Sequence, residues 1–160
     1  MVAVFALGVL APQVVNRVRE IHPAIGKLVE GRLNSVHPVS ARLRALAQPG
    51  DTLMAWGWAP RLYLESGLPQ GTRESHNYKE VENIRLRAFF RERTLRDLRK
   101  NQPALFVDAV APDSFSYVDR KVVGLQIFPE LAEYVATHYR LEEELAGYRI
   151  YVRLDRVAPH

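Results

Sequence analysis

Three aspartates lie close to the ends of predicted strands, where carboxylates can meet a ligand. Asp108 belongs to the apolar segment Ala104–Val110, and Asp113 lies in the loop that follows it. Ligands of open α/β sheets bind at the carboxyl ends of the strands, so both carboxylates are candidate ligand contacts. A buried carboxylate needs a partner, and Asp108 could instead pair with an arginine or cap a helix. Asp113 could instead only stabilise the turn of its own loop. Asp51 is expected to cap the turn before the first strand.

Aromatic side chains are concentrated at the end of the first predicted strand. Trp56 and Trp58 are two residues apart and so project from the same face, and Tyr63 follows on a short predicted helix. These rings could pack in the core, or they could form a platform for a sugar or a lipid, because flat aromatic faces suit both. Arg61 adds a cation to this group. Gly57 permits backbone or ligand to approach the strand closely.

The usual catalytic motifs are missing from the sequence. It contains no Walker loop, no G-x-G-x-x-G and no G-x-S-x-G. The five histidines are scattered without metal-site spacing, and there is no cysteine for a disulfide or a thiolate zinc site. Three consecutive glutamates at 142–144 would point to alternate faces of a strand, which indicates solvated charge. We therefore predict no catalytic residue, no metal and no cofactor in this chain.

Two apolar segments predict strands that are buried on both faces, Thr52–Trp58 and Ala104–Val110. Helical segments between them favour a right-handed crossover and hence a parallel pair. A β-hairpin is predicted for Tyr139–Leu145 and Tyr148–Leu154, with Ala146-Gly147 in the turn. The predicted fold class is α/β, a small mixed sheet of two parallel strands plus a C-terminal β-hairpin, flanked by helices. The predicted helices cover Ala41–Ala47 with Ser40 as its cap, Ala59–Ser66, Glu80–Lys100 and Phe128–Thr137.

The first residues form an apolar run, Val2–Val15. A membrane-spanning helix needs about 20 apolar residues, so this run cannot cross a bilayer alone. No basic residue precedes it, which argues against a signal peptide. A buried helix, a membrane-surface helix and the end of a transmembrane helix remain open, and basic residues at 17, 19 and 27 favour a lipid headgroup zone. We predict an apolar N-terminal helix and linker over 1–36 and a soluble α/β domain over 37–156.

Composition and charge narrow the class of partner. The 160 residues are 48% apolar and 25% charged, which is typical of a globular protein, and the formal net charge is +4. A basic face could meet anionic lipid or a polyprenyl-phosphate headgroup, or it could simply be solvated. We find no helix-turn-helix or RNA-binding motif, so no nucleic-acid partner is expected.

The tryptophan segment also carries a resemblance to a known family. From Pro49 to Pro69 the chain reads PGDTLMAWGWAPRLYLESGLP. This segment resembles one in bacterial membrane glycosyltransferases that use polyprenyl-phosphate sugars, the protein mannosyltransferases and aminoarabinose transferases. Further similar segments extend the resemblance from about Ser40 to Asp155, and they are Gln102–Ala109, Phe128–Leu131, Tyr139–Leu141 and Gly147–Tyr151.

The resemblance implies a non-catalytic accessory domain, since the family's catalytic acid and donor-lipid site lie in its membrane part. It implies a membrane-associated bacterial protein whose soluble part is periplasmic or extracytoplasmic and contacts acceptor or lipid phosphate. A free-standing, cytoplasmic domain that binds a small ligand or sugar phosphate through Trp58, Arg61, Asp108 and Asp113 is the alternative. An independent small α/β enzyme is the third. The run Val2–Val15 could also form a homodimer.

Overall fold

The computed structural model describes residues 36–82 and 85–156 of the 160-residue chain. The predicted N-terminal helix and linker, together with the membrane-remnant and homodimer predictions for them, lie outside the described residues apart from Val36. Over the two described ranges, no helix combines the length and the apolar character that a membrane span requires.

A four-stranded mixed sheet forms the centre of the domain and confirms the predicted α/β fold class. The strand order is β1-β2-β4-β3, with β1 parallel to β2 and the other neighbours antiparallel. The strands are β1 (Leu53–Trp56), β2 (Leu105–Asp108), β3 (Tyr139–Leu145) and β4 (Tyr148–Arg153). The predicted hairpin is confirmed, because β3 and β4 are joined by Ala146 and Gly147, both with positive φ, as a tight hairpin turn requires.

Helices cover both faces of this sheet. They are α1 (Pro38–Leu46), α2 (Arg61–Ser66), α3 (Tyr78–Val81), α4 (Arg87–Asn101), α5 (Arg120–Val123) and α6 (Pro129–His138), with 3₁₀ turns at Leu125–Ile127 and Leu154–Arg156. One core cluster packs α1 and α2 against the face that carries Leu53 and Ala55, and another packs α4 and α6 against the face that carries Met54 and Trp56. Successive strand residues alternate between the two clusters, which is why β1 is apolar throughout.

Helix α1 begins three residues earlier than predicted. His37, not Ser40, is its N-cap, and the Nδ1 atom of His37 accepts the Val39 amide at 3.3 Å. Pro38 occupies the first helical turn, where its missing N–H costs nothing. Ser40 is a buried residue inside the helix.

The long helix predicted over Glu80–Lys100 is wrong, since the segment forms two helices, α3 and α4. The buried carboxylate of Glu80 accepts a hydrogen bond from Thr94 Oγ1 at 2.6 Å. In one straight helix these residues would lie about 21 Å apart along the axis, so this contact requires a break between them. Phe89 is 52% exposed, and the buried residues of α4 begin only at Thr94.

Candidate functional site

The parallel strands end together at one edge of the sheet, where Trp56 is aligned with Asp108. Gly57 follows β1 with a φ of +124°, and a Cβ at this position would lie 3.1 Å from the carbonyl carbon of Ala109. The sequence predicted a close approach at Gly57, and the structure places backbone there. The Gly57 amide donates to Asn77 Oδ1 at 3.0 Å, so a third segment of chain is fixed at the same edge.

Four rings form an exposed group at this edge, which we call the aromatic surface. Trp58 is half-buried at its centre, with the ring of His76 at 4.5 Å, that of Phe115 at 5.4 Å and that of Tyr78 at 6.3 Å between centroids. Phe115 is 68% exposed and Tyr78 is 48% exposed. The aromatic surface therefore presents two exposed rings, Phe115 and Tyr78, beside a half-buried tryptophan.

Tyr117 lies beside the aromatic surface but is itself buried. Its ring centroid is 6.3 Å from that of Trp58, and its hydroxyl has no hydrogen-bond partner in the described part of the chain. Burial raises the pKa of Tyr117 to about 12, and the charges of Glu82 and Glu80 act in the same direction. The phenol is therefore neutral at physiological pH and supports the tryptophan as an apolar body.

A polar cluster is joined to the aromatic surface through the loop after β2. Asp113 Oδ2 lies 3.1 Å from Nε2 of the buried His37. Because Nδ1 of His37 accepts an amide proton, Nε2 carries the ring proton and donates it to Asp113. Two residues further, Phe115 contacts Trp58, so the short stretch 113–115 connects the polar cluster with the aromatic surface.

Glu65 joins the polar cluster to α2. Its Oε2 accepts the His37 amide at 3.0 Å, and its Oε1 accepts Arg61 Nη2 at 2.8 Å. Burial alone would raise the pKa of Glu65, but hydrogen bonds, including those from His37 and Arg61, outweigh it and hold the pKa below its usual value. Arg61 itself is exposed, so its guanidinium remains accessible to an anion.

Asp108 lies at this edge but is buried and paired, being 1% exposed. Its Oδ1 accepts the Val110 amide at 3.2 Å, and its Oδ2 accepts Arg120 Nε at 3.1 Å. Arg120 also donates from Nη2 to the carbonyl of Gly147 at 2.5 Å. Asp108 therefore links β2 to α5 and to the hairpin turn, which is the arginine pairing that the sequence left open.

Two more of the predicted site residues belong to the core. The indole N–H of Trp56 donates to the Val123 carbonyl at 3.0 Å, and the hydroxyl of Tyr63 accepts the Ala55 amide at 2.9 Å. Burial raises the pKa of Tyr63 to about 12. Neither side chain can meet a ligand without rearrangement, because Trp56 is fully buried and Tyr63 is 7% exposed.

The structure thus brings three of the six predicted residues to the surface of the edge, namely Trp58, Arg61 and Asp113. The sequence reasoning missed three others as site residues: His76, Tyr78 and Phe115. The sequence signal that could have identified them is an aromatic or imidazole ring within a polar segment, where packing of the core does not explain the ring.

The clefts described in the structure lie elsewhere. One of about 360 Å³ lies between α4 and Phe128, and another of about 290 Å³ lies at the opposite end of the parallel strands beside Gly50 and Arg153. None of the four clefts is lined by any of the six predicted site residues. The candidate site at the carboxyl edge is therefore a surface of exposed rings and charges, and the four clefts lie elsewhere.

Residues 36–82 and 85–156 contain no group of three or more His, Asp or Glu side chains that could hold a metal ion. Comparisons with protein-family models, with curated proteins and with solved structures found nothing that matches this chain.

Proposed function

We propose that this chain is a non-catalytic accessory domain of a membrane glycosyltransferase that uses a polyprenyl-phosphate sugar, and that it contacts a sugar phosphate through the aromatic surface. The observation that carries the proposal is Trp58, held among three other rings at the carboxyl edge, with Phe115 more than half exposed. The soluble domain lies outside the cytoplasm of a bacterium, beside the membrane part that performs the transfer.

Ring geometry supports a saccharide as the contacted group. The apolar faces of sugar rings stack on aromatic faces, and a tryptophan fixed by neighbouring rings loses little freedom on binding. His76 lies 4.5 Å from Trp58 and offers a ring nitrogen to a sugar hydroxyl. Arg61 is exposed and can meet a phosphate group, for which guanidinium is well suited.

The hydrogen bonds of the acidic and basic groups support binding rather than catalysis. Both ring nitrogens of His37 are engaged, one with the Val39 amide and one with Asp113. Both carboxylate oxygens of Asp108 are engaged as well. A general base must be free to take a proton from a substrate, so neither residue is placed for that role.

A free-standing domain that encloses a small ligand is the second candidate. It would use a pocket near Trp58, Arg61, Asp108 and Asp113, whereas Asp108 is buried and paired and the described clefts lie at other places. An exposed surface is better suited to one side of a larger substrate or lipid-linked sugar, which favours the accessory domain.

Equilibrium titration of the full chain with a hexose 1-phosphate, followed by tryptophan fluorescence, tests the proposal. Phe115→Ala is expected to weaken binding about three- to tenfold, because an aromatic contact is worth about 0.5–1.5 kcal/mol beyond area burial. Phe89→Ala, which removes another ring that is more than half exposed, on α4, is the matched control and should bind like the parent chain.

Two results would overturn the proposal. The sugar contact is wrong when millimolar hexose phosphate gives no fluorescence change, or when both alanine variants weaken binding alike. The proposal that the domain is non-catalytic is wrong if the chain alone releases or transfers the sugar from a polyprenyl-phosphate donor.

A further inference from the structure

Helix α4 has an outward stripe of aromatic and basic side chains. Phe89, Arg96 and Lys100 are spaced by seven and four residues and therefore lie on one side of the helix. All three are exposed, while the buried residues Thr94 and Leu98 lie on the opposite side. Phe89 is thus an exposed apolar ring in a row of cations.

Cations lie close to the rings of Phe89 and Phe90. The guanidinium carbon of Arg93 lies 5.8 Å from the centroid of Phe89 and 4.7 Å from that of Phe90. The ammonium nitrogen of Lys79 lies 5.0 Å from the centroid of Phe90. These cation–π contacts fix the two rings beside positive charge at the helix surface.

The basic side chains of this region carry charge that the domain does not neutralise. Within residues 36–82 and 85–156, six basic side chains around α4 form no ion pair, against one exposed acid on the helix, Glu92. The six are Arg85, Arg87, Arg91, Arg96, Arg99 and Lys100, and of these Arg91 donates to the backbone carbonyl of Glu80. Most arginines elsewhere in the described chain are paired, for example Arg42 with Glu143 at 2.7 Å.

We propose that the outward face of α4 docks on an anionic lipid bilayer, with Phe89 entering the headgroup boundary and Arg96 and Lys100 meeting lipid phosphates. The combination of an exposed ring and unpaired cations on one helix face matches the chemistry of that boundary, where apolar burial and electrostatic attraction add. The residues of this docking surface, Phe89, Arg96 and Lys100, are not among those of the aromatic surface, so the docking neither requires the saccharide contact nor follows from it.

The absence of cysteine permits a direct test in the full chain. Phe89→Cys and, as the matched control, Phe115→Cys each introduce a single thiol, to which a nitrobenzoxadiazole dye is attached. With vesicles of phosphatidylcholine and phosphatidylglycerol, the dye at position 89 should brighten severalfold and shift to the blue, while the dye at position 115 should not. Vesicles of phosphatidylcholine alone should leave both dyes unchanged.

Charge reversal supplies the second arm. Arg96→Glu with Lys100→Glu changes two exposed side chains, and it should reduce partition onto the anionic vesicles by at least about 20-fold, since each basic side chain near such a surface is worth about a factor of five. The proposal is overturned when the chain sediments with vesicles but the dye at position 89 does not respond, because another part of the chain then makes the contact. It is also overturned when the reversal leaves partition unchanged, or when a 20-mer DNA duplex displaces the protein from vesicles and binds more tightly than they do.

Discussion

Replacing Arg120 by methionine tests whether Asp108 is held by a buried ion pair. The variant keeps a long apolar stem but leaves the carboxylate of Asp108, which is 1% exposed, without its cation. Removing one partner of a buried pair costs about 3–5 kcal/mol, and the partial exposure of Arg120 favours the lower end. The lost hydrogen bond to Gly147 is part of that cost. We expect the free energy of unfolding to fall by about 3 kcal/mol.

A double-mutant cycle separates the ion pair from the rest of the cost. Asp108→Asn keeps an oxygen that accepts the Val110 amide but removes the charge. In that background Arg120→Met should cost only about 1 kcal/mol, because the remaining loss is one hydrogen bond, to Gly147. The coupling free energy between the two sites is then about 2 kcal/mol.

Urea unfolding followed by far-ultraviolet circular dichroism measures all four proteins of the cycle. Arg140→Met is the control, because Arg140 pairs with Glu142 in an exposed ion pair at 2.8 Å and such pairs contribute less than about 1 kcal/mol. The reasoning is refuted when Arg120→Met costs less than about 1 kcal/mol, or when it costs the same with Asp and with Asn at position 108.

Two further predictions concern buried polar groups. Thr94→Val should lower the free energy of unfolding, measured in urea, by about 2–3 kcal/mol, because Glu80 loses the hydroxyl that donates to its buried carboxylate. Thr94→Ser keeps a hydroxyl and should cost about 1 kcal/mol or less. Equal losses in the two variants would contradict the stabilising role of this hydrogen bond. Tyr63 and Tyr117 have pKa values raised from 10.0 to about 12 in the folded state, so between pH 10 and 12 the unfolded chain releases protons that the folded chain retains. The contribution of these two phenols to the free energy of unfolding should therefore be constant below pH 10 and should fall above it. Tyrosinate absorbance at about 295 nm should rise together with unfolding. Complete ionisation near pH 10 with the fold intact would show that these phenols are not buried.

The fold class was readable from the sequence because its signals are local. Apolar runs with helices between them predicted the parallel pair, and Ala146-Gly147 predicted the hairpin turn. The break between α3 and α4 was not readable, because the hydrogen bond that accompanies it joins Glu80 and Thr94, which only the folded chain brings together across a turn. The early start of α1 was missed because a histidine serves as its cap.

The candidate site was only partly readable for the same reason. The two-residue spacing correctly placed Trp56 and Trp58 on one face, but it did not reveal that β1 ends at Trp56, so that only the second ring leaves the core. His76 and Phe115 reach Trp58 from segments 18 and 57 residues further along the chain, as their numbers show. Contacts at such distances follow from the packing of whole elements and carry no local pattern.

The most direct test of the proposed saccharide contact uses the indole N–H signals of the two tryptophans in the chain. In a ¹H–¹⁵N spectrum, Trp56 should give a protected signal because its indole donates to Val123 in the core, and Trp58→Phe assigns the other signal. Titration with hexose 1-phosphate should shift the Trp58 indole signal and leave that of Trp56 in place, and Phe115→Ala should reduce the shift at equal ligand concentration. An unchanged Trp58 signal at millimolar ligand, or an equal shift of both indoles, would contradict sugar-phosphate binding at the aromatic surface.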